Sequence, residues 1–156
     1  SKKIPRTDWM RGKEGGDMSV NAGQRHVPST PQNMQCYAVD ATLSLLCHTL
    51  NNCKNKVFCE EGKTRIAERI VDTATEIYMK AYAANKIRVT NQTMWDARSI
   101  RQTDAIIHCN ELIALINAAK RIYHLRRGKT EFWVQKIIET RELLKRWHVA
   151  DAKRYK

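Results

Sequence analysis

Apolar residues recur at alternating three- and four-residue steps along most of this chain, and that rhythm restricts the fold more than any other feature. Cys36, Val39, Leu43, Leu46, Leu50 and Cys53 follow it first. Ile66, Ile70, Ala74, Ile77, Ala81 and Ala84 come next, and then Ala105, Cys109, Leu112, Ile116, Ala119 and Tyr123, with Ile106, Ile113 and Ile122 widening the third stripe. A fourth stretch points Trp133, Ile137, Leu144 and Trp147 inward. Such spacing returns side chains to one face of an α-helix, whereas a half-buried strand needs a period of two, which appears nowhere.

Local signals divide these stretches. Ser29 or Thr30 suits a helix N-cap, and Pro31 suits the first helical position. The Asn-rich run "NNCKNK" (51–56) ends the first helix, since Asn tolerates the left-handed cap conformation. A second helix is expected over about 60–88, a third over about 93–126, and a fourth from Thr130, read as its cap, to about His148. Short connections make sequential helices antiparallel neighbours. The sequence therefore predicts an all-α, antiparallel up-down-up-down four-helix bundle over residues 30–156. Residues 1–29 hold four of the six glycines and two of the three prolines, without periodicity. They are expected to be a flexible, poorly ordered basic arm, whose lone Trp9 reads equally as an anchor for a partner or a stacked base and as an exposed aromatic with no role.

Charge is placed unevenly over the bundle. The formal net charge is +12, of which +8 falls within residues 120–156 and only +1 within 36–119. A solvated helix normally mixes signs, so an excess of this size predicts a field that attracts a polyanion, above all nucleic acid. The expected phosphate contacts are Arg121, Arg126, Arg127, Lys129, Lys136, Arg141, Lys145 and Arg146. Thr130, Lys136, Glu139 and Lys145 are expected to share an outward surface of the fourth helix. No run approaches the ~18 apolar residues of a membrane span, and the first 35 residues lack the apolar segment of a secretory signal. A cytoplasmic protein that meets no membrane is the expectation. The five cysteines form no C-x-x-C pair, and adjacent His-Cys pairs on a helix (Cys47 with His48, His108 with Cys109) point different ways. Reduced core thiols are expected, with no metal and no cofactor.

The tripeptide Gly-Lys-Thr occurs twice, at 62–64 and 128–130. A nucleotide-binding P-loop needs a further glycine five positions earlier, where this chain has Val57 and Tyr123. Without that glycine no nest of backbone amides wraps a triphosphate. Each copy instead begins the second arm of a helical hairpin, where Gly is read as letting the chain reverse and Thr as capping. Arg126, Arg127 and Lys129 around the second copy suit a single backbone phosphate at a helix N-terminus, while Glu60 and Glu61 around the first oppose it.

The segments "AAKRIYHLRRGKTEFW" (118–133) and "LLKRWHVADAKRY" (143–155), with the helix lengths, carry a resemblance over about residues 30–155. The chain resembles the four-helix-bundle family that contains the accessory variability determinant (Avd) of diversity-generating retroelements. Relatives in that family are encoded in intervening sequences of large ribosomal RNA genes. The resemblance implies a non-enzymatic partner of a reverse transcriptase that binds the polymerase and template RNA (and, by extension, cDNA). It also implies a basic homopentamer that supports error-prone cDNA synthesis.

Two other functions compete. Helical-bundle ribonucleases of the HEPN type carry R-x(4–6)-H, which Arg101 to His108 and Arg141 to His148 match formally. In that chemistry His moves the 2′-hydroxyl proton and Arg steadies the phosphorane charge. The alternative is an oligomeric scaffold whose charge meets an acidic protein.

Overall fold

The computed structural model describes residues 31–60, 62 and 64–155, with side chains from Tyr37 onward. The expected arm with Trp9, the capping residues Ser29 and Thr30, and the Cys36 side chain lie outside the described residues. Four long helices and one single turn follow in order: α1 (Pro31–Cys53), α2 (Lys56–Cys59), α3 (Thr64–Lys86), α4 (Gln92–Tyr123) and α5 (Arg127–Tyr155). Among the described residues there is no strand. α1 packs against α3 and α5, and α4 packs against the same two helices, so α1 and α4 stand diagonally across an antiparallel bundle. None of these helices is long and apolar enough to cross a membrane.

Caps explain where the elements start. The Asn91 side chain accepts from the Met94 amide at 2.9 Å and opens α4, the longest helix. Asn55 does the same for α2, accepting from Val57 at 3.3 Å. That extra turn follows directly on the run read as a plain break, sharing Lys56 with it, and the next long helix starts at Thr64 rather than at about 60. α4 closes on His124, which is left-handed at φ 53° and donates its backbone N–H to the Lys120 carbonyl.

The core combines two large indoles, Trp133 and Trp147, with alanines from the other three long helices: Ala38 and Ala41, Ala74 and Ala81, Ala105 and Ala119. Large and small residues facing one another let the layers interdigitate. The apolar stripes expected on the second, third and fourth helices are buried, apart from half-buried Ile66, Ile106, Ile113 and Tyr123 and Ile122, which is 57% exposed.

The first helix is turned from its expected register. Its inner face is Ala38, Ala41, Thr42, Leu45, His48, Thr49 and Asn52, whereas Leu43 and Leu50 are 42% and 43% exposed. The physical reason is polar pairing inside the bundle. Trp133 Nε1–H donates to Thr49 Oγ1 at 3.2 Å, Asn52 Nδ2 donates to His48 Nε2 at 3.0 Å, and the Thr42 hydroxyl donates to the Val39 carbonyl at 2.6 Å. Paired in this way, these polar side chains are tolerated in the core, with only His48 Nδ1 among them buried and without a hydrogen-bond partner among the described residues. Cys47, expected inside, is exposed as a result; among the described side chains Cys109 is the buried thiol.

α5 also runs seven residues past its expected end at His148. The reason lies at the far end of the bundle, where Asp151 is fully buried. Arg98 donates to its Oδ2 from Nε at 2.8 Å and from Nη2 at 2.7 Å, and Gln102 Nε2 donates to the same oxygen at 2.8 Å. Arg98 Nη1 also reaches the Ile87 carbonyl at 3.1 Å, and its guanidinium lies over the rings of Trp147 and Tyr155. Tyr155 is half-buried against Trp95.

Candidate nucleic-acid interface

The turn between α4 and α5 gathers the densest positive charge, and its geometry is fixed from below. Tyr123 sets its ring edge-on to Phe58 of α2, with centroids 6.1 Å apart, and Leu125 packs half-buried against the core. The Leu125 amide donates back to the Lys120 carbonyl at 3.2 Å. With those two residues anchored, Arg121, Arg126, Arg127 and Lys129 are left exposed around the turn.

The second Gly-Lys-Thr lies inside the first turn of α5 rather than before it. Thr130 is buried, and its hydroxyl donates to the carbonyls of Arg126 (3.1 Å) and Arg127 (2.9 Å), so it is not the cap that the sequence suggested. Gly128 is helical and has open space where a Cβ would sit. The left-handed residue that reverses the chain is His124, whereas Gly62, in the first copy, does have a positive φ of 84°. Because α5 begins at Arg127, the amides of Arg127, Gly128 and Lys129 have no intrahelical acceptor and face off the end of the helix. A phosphate oxygen fits such amides, and the cations beside them add to the attraction.

The eight expected contacts separate on inspection. Arg121, Arg126, Lys129 and Arg146 are exposed, with no ion pair among the described residues. Arg127 is exposed but holds Glu131 from Nε at 2.6 Å, and this hydrogen bond draws the Glu131 carboxyl below the usual carboxylate range. Arg141 donates from Nη1 to Asn110 Oδ1 at 2.8 Å and lies 3.4 Å from Glu142, and Lys145 approaches the same Glu142 oxygen at 3.4 Å. Arg146 stands 19 positions along α5 from Arg127, about 28 Å away at 1.5 Å per residue. The basic segment is thus two separate regions, one at the turn and one far down α5.

Lys136 corrects the expectation outright. It is only 5% exposed, because α5 buries Trp133, Lys136, Ile137 and Thr140 on one face. An aliphatic stem allows a lysine into such a face. From there it acts on His48: burial, then the Lys136 charge, then that of Lys129, push the imidazole down to about 4. His48 is therefore a neutral core residue at physiological pH, set edge-on to Phe132 and Trp133.

The two formal Arg-His pairs are each drawn into other contacts. Arg101 Nη1 donates to the Ala97 carbonyl at 3.0 Å, and His108 Nδ1 lies 2.8 Å from Glu111 Oε2. His148 is not at a helix end; it shares a hydrogen bond with Ser99 Oγ at 2.9 Å and stacks on Trp95. No group of three or more His, Cys, Asp or Glu suited to a metal occurs among the described residues. Comparison of the chain with models of known protein families, with curated proteins and with solved structures finds no match.

Proposed function

We propose that this protein is a non-enzymatic, RNA-binding accessory factor that works in the cytoplasm as the partner of a retroelement reverse transcriptase, in the manner of Avd. The observation that carries the reading is the α4–α5 turn, where Arg121, Arg126 and Lys129 stand exposed, with no ion pair among the described residues, beside the open amides of a helix N-terminus. Such groups bind phosphate irrespective of base, as expected of a factor that holds template RNA for another protein's chemistry.

The homopentamer that the resemblance implies has its own support. α1 turns Leu43 and Leu50 outward, and α4 turns Ile100 and Ile107 outward, each pair seven residues apart on the side opposite the core. A seven-residue apolar repeat is what a further packed helix requires. The two faces lie on diagonally opposed helices, so pairing α1 of one copy with α4 of the next is heterologous and can close into a ring.

A retention and integrity assay tests the function. The purified protein is expected to shift RNA on a native gel, leave it intact, and be captured with a diversity-generating retroelement reverse transcriptase on co-expression. RNA cleavage that disappears in the His108→Ala, His148→Ala double variant would instead make it a ribonuclease of the HEPN type.

A further inference from the structure

The α1–α2 corner was legible in the sequence only as a break between helices, yet the fold sets it directly beside the basic turn. Phe58, buried within α2, meets Tyr123 at the end of α4. On the other side, Lys129 of α5 lies near enough to Cys53, at the end of α1, for its charge to act on that thiol. Between these two contacts the chain carries Lys54 and Lys56, both exposed and neither with an ion pair among the described residues.

The outer face of α5 offers a competing track, and its charges are largely consumed within the helix. Arg127 is held by Glu131, and Glu142 draws in both Arg141 and Lys145. A strand laid along that face would have to displace these partners and pass close to Glu131 and Glu142. At the end of the bundle the cations come from two chain segments, and Lys54, Lys56, Arg126 and Lys129 have no ion pair among the described residues, although exposed Glu60 and the Arg127-held Glu131 lie on the same segments. Counterion release makes unpartnered cations the efficient contacts with a phosphate backbone.

We propose that an RNA strand crosses the end of the bundle, its phosphates held by Lys54 and Lys56 of the α1–α2 corner together with Arg126 and Lys129 of the α4–α5 turn. This placement rests on the RNA-binding reading above and names the surface that performs it. It adds two residues from the near-neutral half of the chain and removes Lys145 and Arg146 from the primary site.

The test is fluorescence anisotropy with a labelled oligouridylate about 20 nucleotides long, using the full chain and two exposed-residue variants whose folding is checked by circular dichroism. Each single-strand phosphate contact is worth about fivefold in affinity at 0.1 M salt, so Lys54→Ala, Lys56→Ala should weaken binding about 25-fold. The same variant should flatten the slope of log K against log salt by about 1.4. Lys145→Ala, Arg146→Ala should stay within about threefold of the parent protein. Tight binding by the parent with no loss in the Lys54, Lys56 variant, or with the larger loss in the Lys145, Arg146 variant, overturns the end-on placement and leaves RNA binding standing. Absence of binding by the parent overturns both, and retention on an acidic polypeptide in its place would favour a protein partner.

Discussion

Arg98 and Asp151, 53 positions apart, form a nearly solvent-free ion pair in which two guanidinium nitrogens reach one carboxylate oxygen at 2.7 and 2.8 Å. The pair ties the start of α4 to the end of α5, and through the Ile87 carbonyl it also holds the α3–α4 connection. Removing one partner of a buried pair leaves the other charge stranded, which costs about 3–5 kcal/mol. Asp151→Ala is therefore expected to lower unfolding free energy by about that much in urea. A loss below about 1 kcal/mol, the range of a surface pair, would show that the cluster does not hold the helix ends together.

His48 makes stability depend on pH. In the unfolded chain its imidazole takes up a proton near its ordinary value of 6.5, while in the folded protein it does so only near 4. The unfolded state binds more protons between those values, so stability is full above about pH 6.5 and falls as the pH drops toward 4. By about pH 4.5 the loss from this residue should be about 2–3 kcal/mol. Urea midpoints of the parent and His48→Phe proteins across this window check it. Equal pH dependence in the two would remove His48 as the cause.

The four thiols among the described side chains should react in two groups. Burial pushes Cys109 up to about 12 and Cys53 up to about 11, the latter against some opposition from Lys129. Only the thiolate alkylates, so at about pH 8 these two are almost wholly unreactive, whereas Cys47 and Cys59 are exposed. Brief iodoacetamide treatment of the folded protein, read by peptide mass spectrometry, should label Cys47 and Cys59 first. Early labelling of Cys109 would contradict its place in the core.

Assembly should depend on Leu43 and Leu50. Both are exposed in the single chain, so Leu43→Glu, Leu50→Glu is expected to fold as before. Light scattering should report a multiple of the 18.1 kDa chain for the parent and a monomer for the variant. A parent protein that is already monomeric would end the ring proposal.

The sequence carried the all-α class, the antiparallel order and three of the four buried stripes, because on those helices aliphatic and aromatic residues alone repeat at helical spacing along the inner face, even though Arg98, Gln102, Lys136 and Asp151 are buried beside them. It failed on α1, whose inner face relies on Thr42, His48, Thr49 and Asn52, polar residues that become core-compatible through a partner on another helix, through each other or through their own backbone. The same limit hid Lys136, which reads as outward charge until Trp133 and Ile137 are seen to share its face. Charge density did locate the α4–α5 turn. It could not separate Arg126 from Arg141, because a counter-ion such as Glu142 or a neighbour such as Asn110 on α4 is a matter of three-dimensional position. The part proposed for Lys54 and Lys56 was hidden for the same reason, since Lys129, whose charge reaches the adjoining Cys53, lies more than seventy positions away.

The salt dependence of RNA affinity tests the central claim most directly. With three to six phosphates neutralised at the end of the bundle, log K against log salt should fall with a slope between about −2 and −4. A slope near zero, or no measurable binding at low salt, would contradict the reading of this basic bundle as an RNA-binding protein.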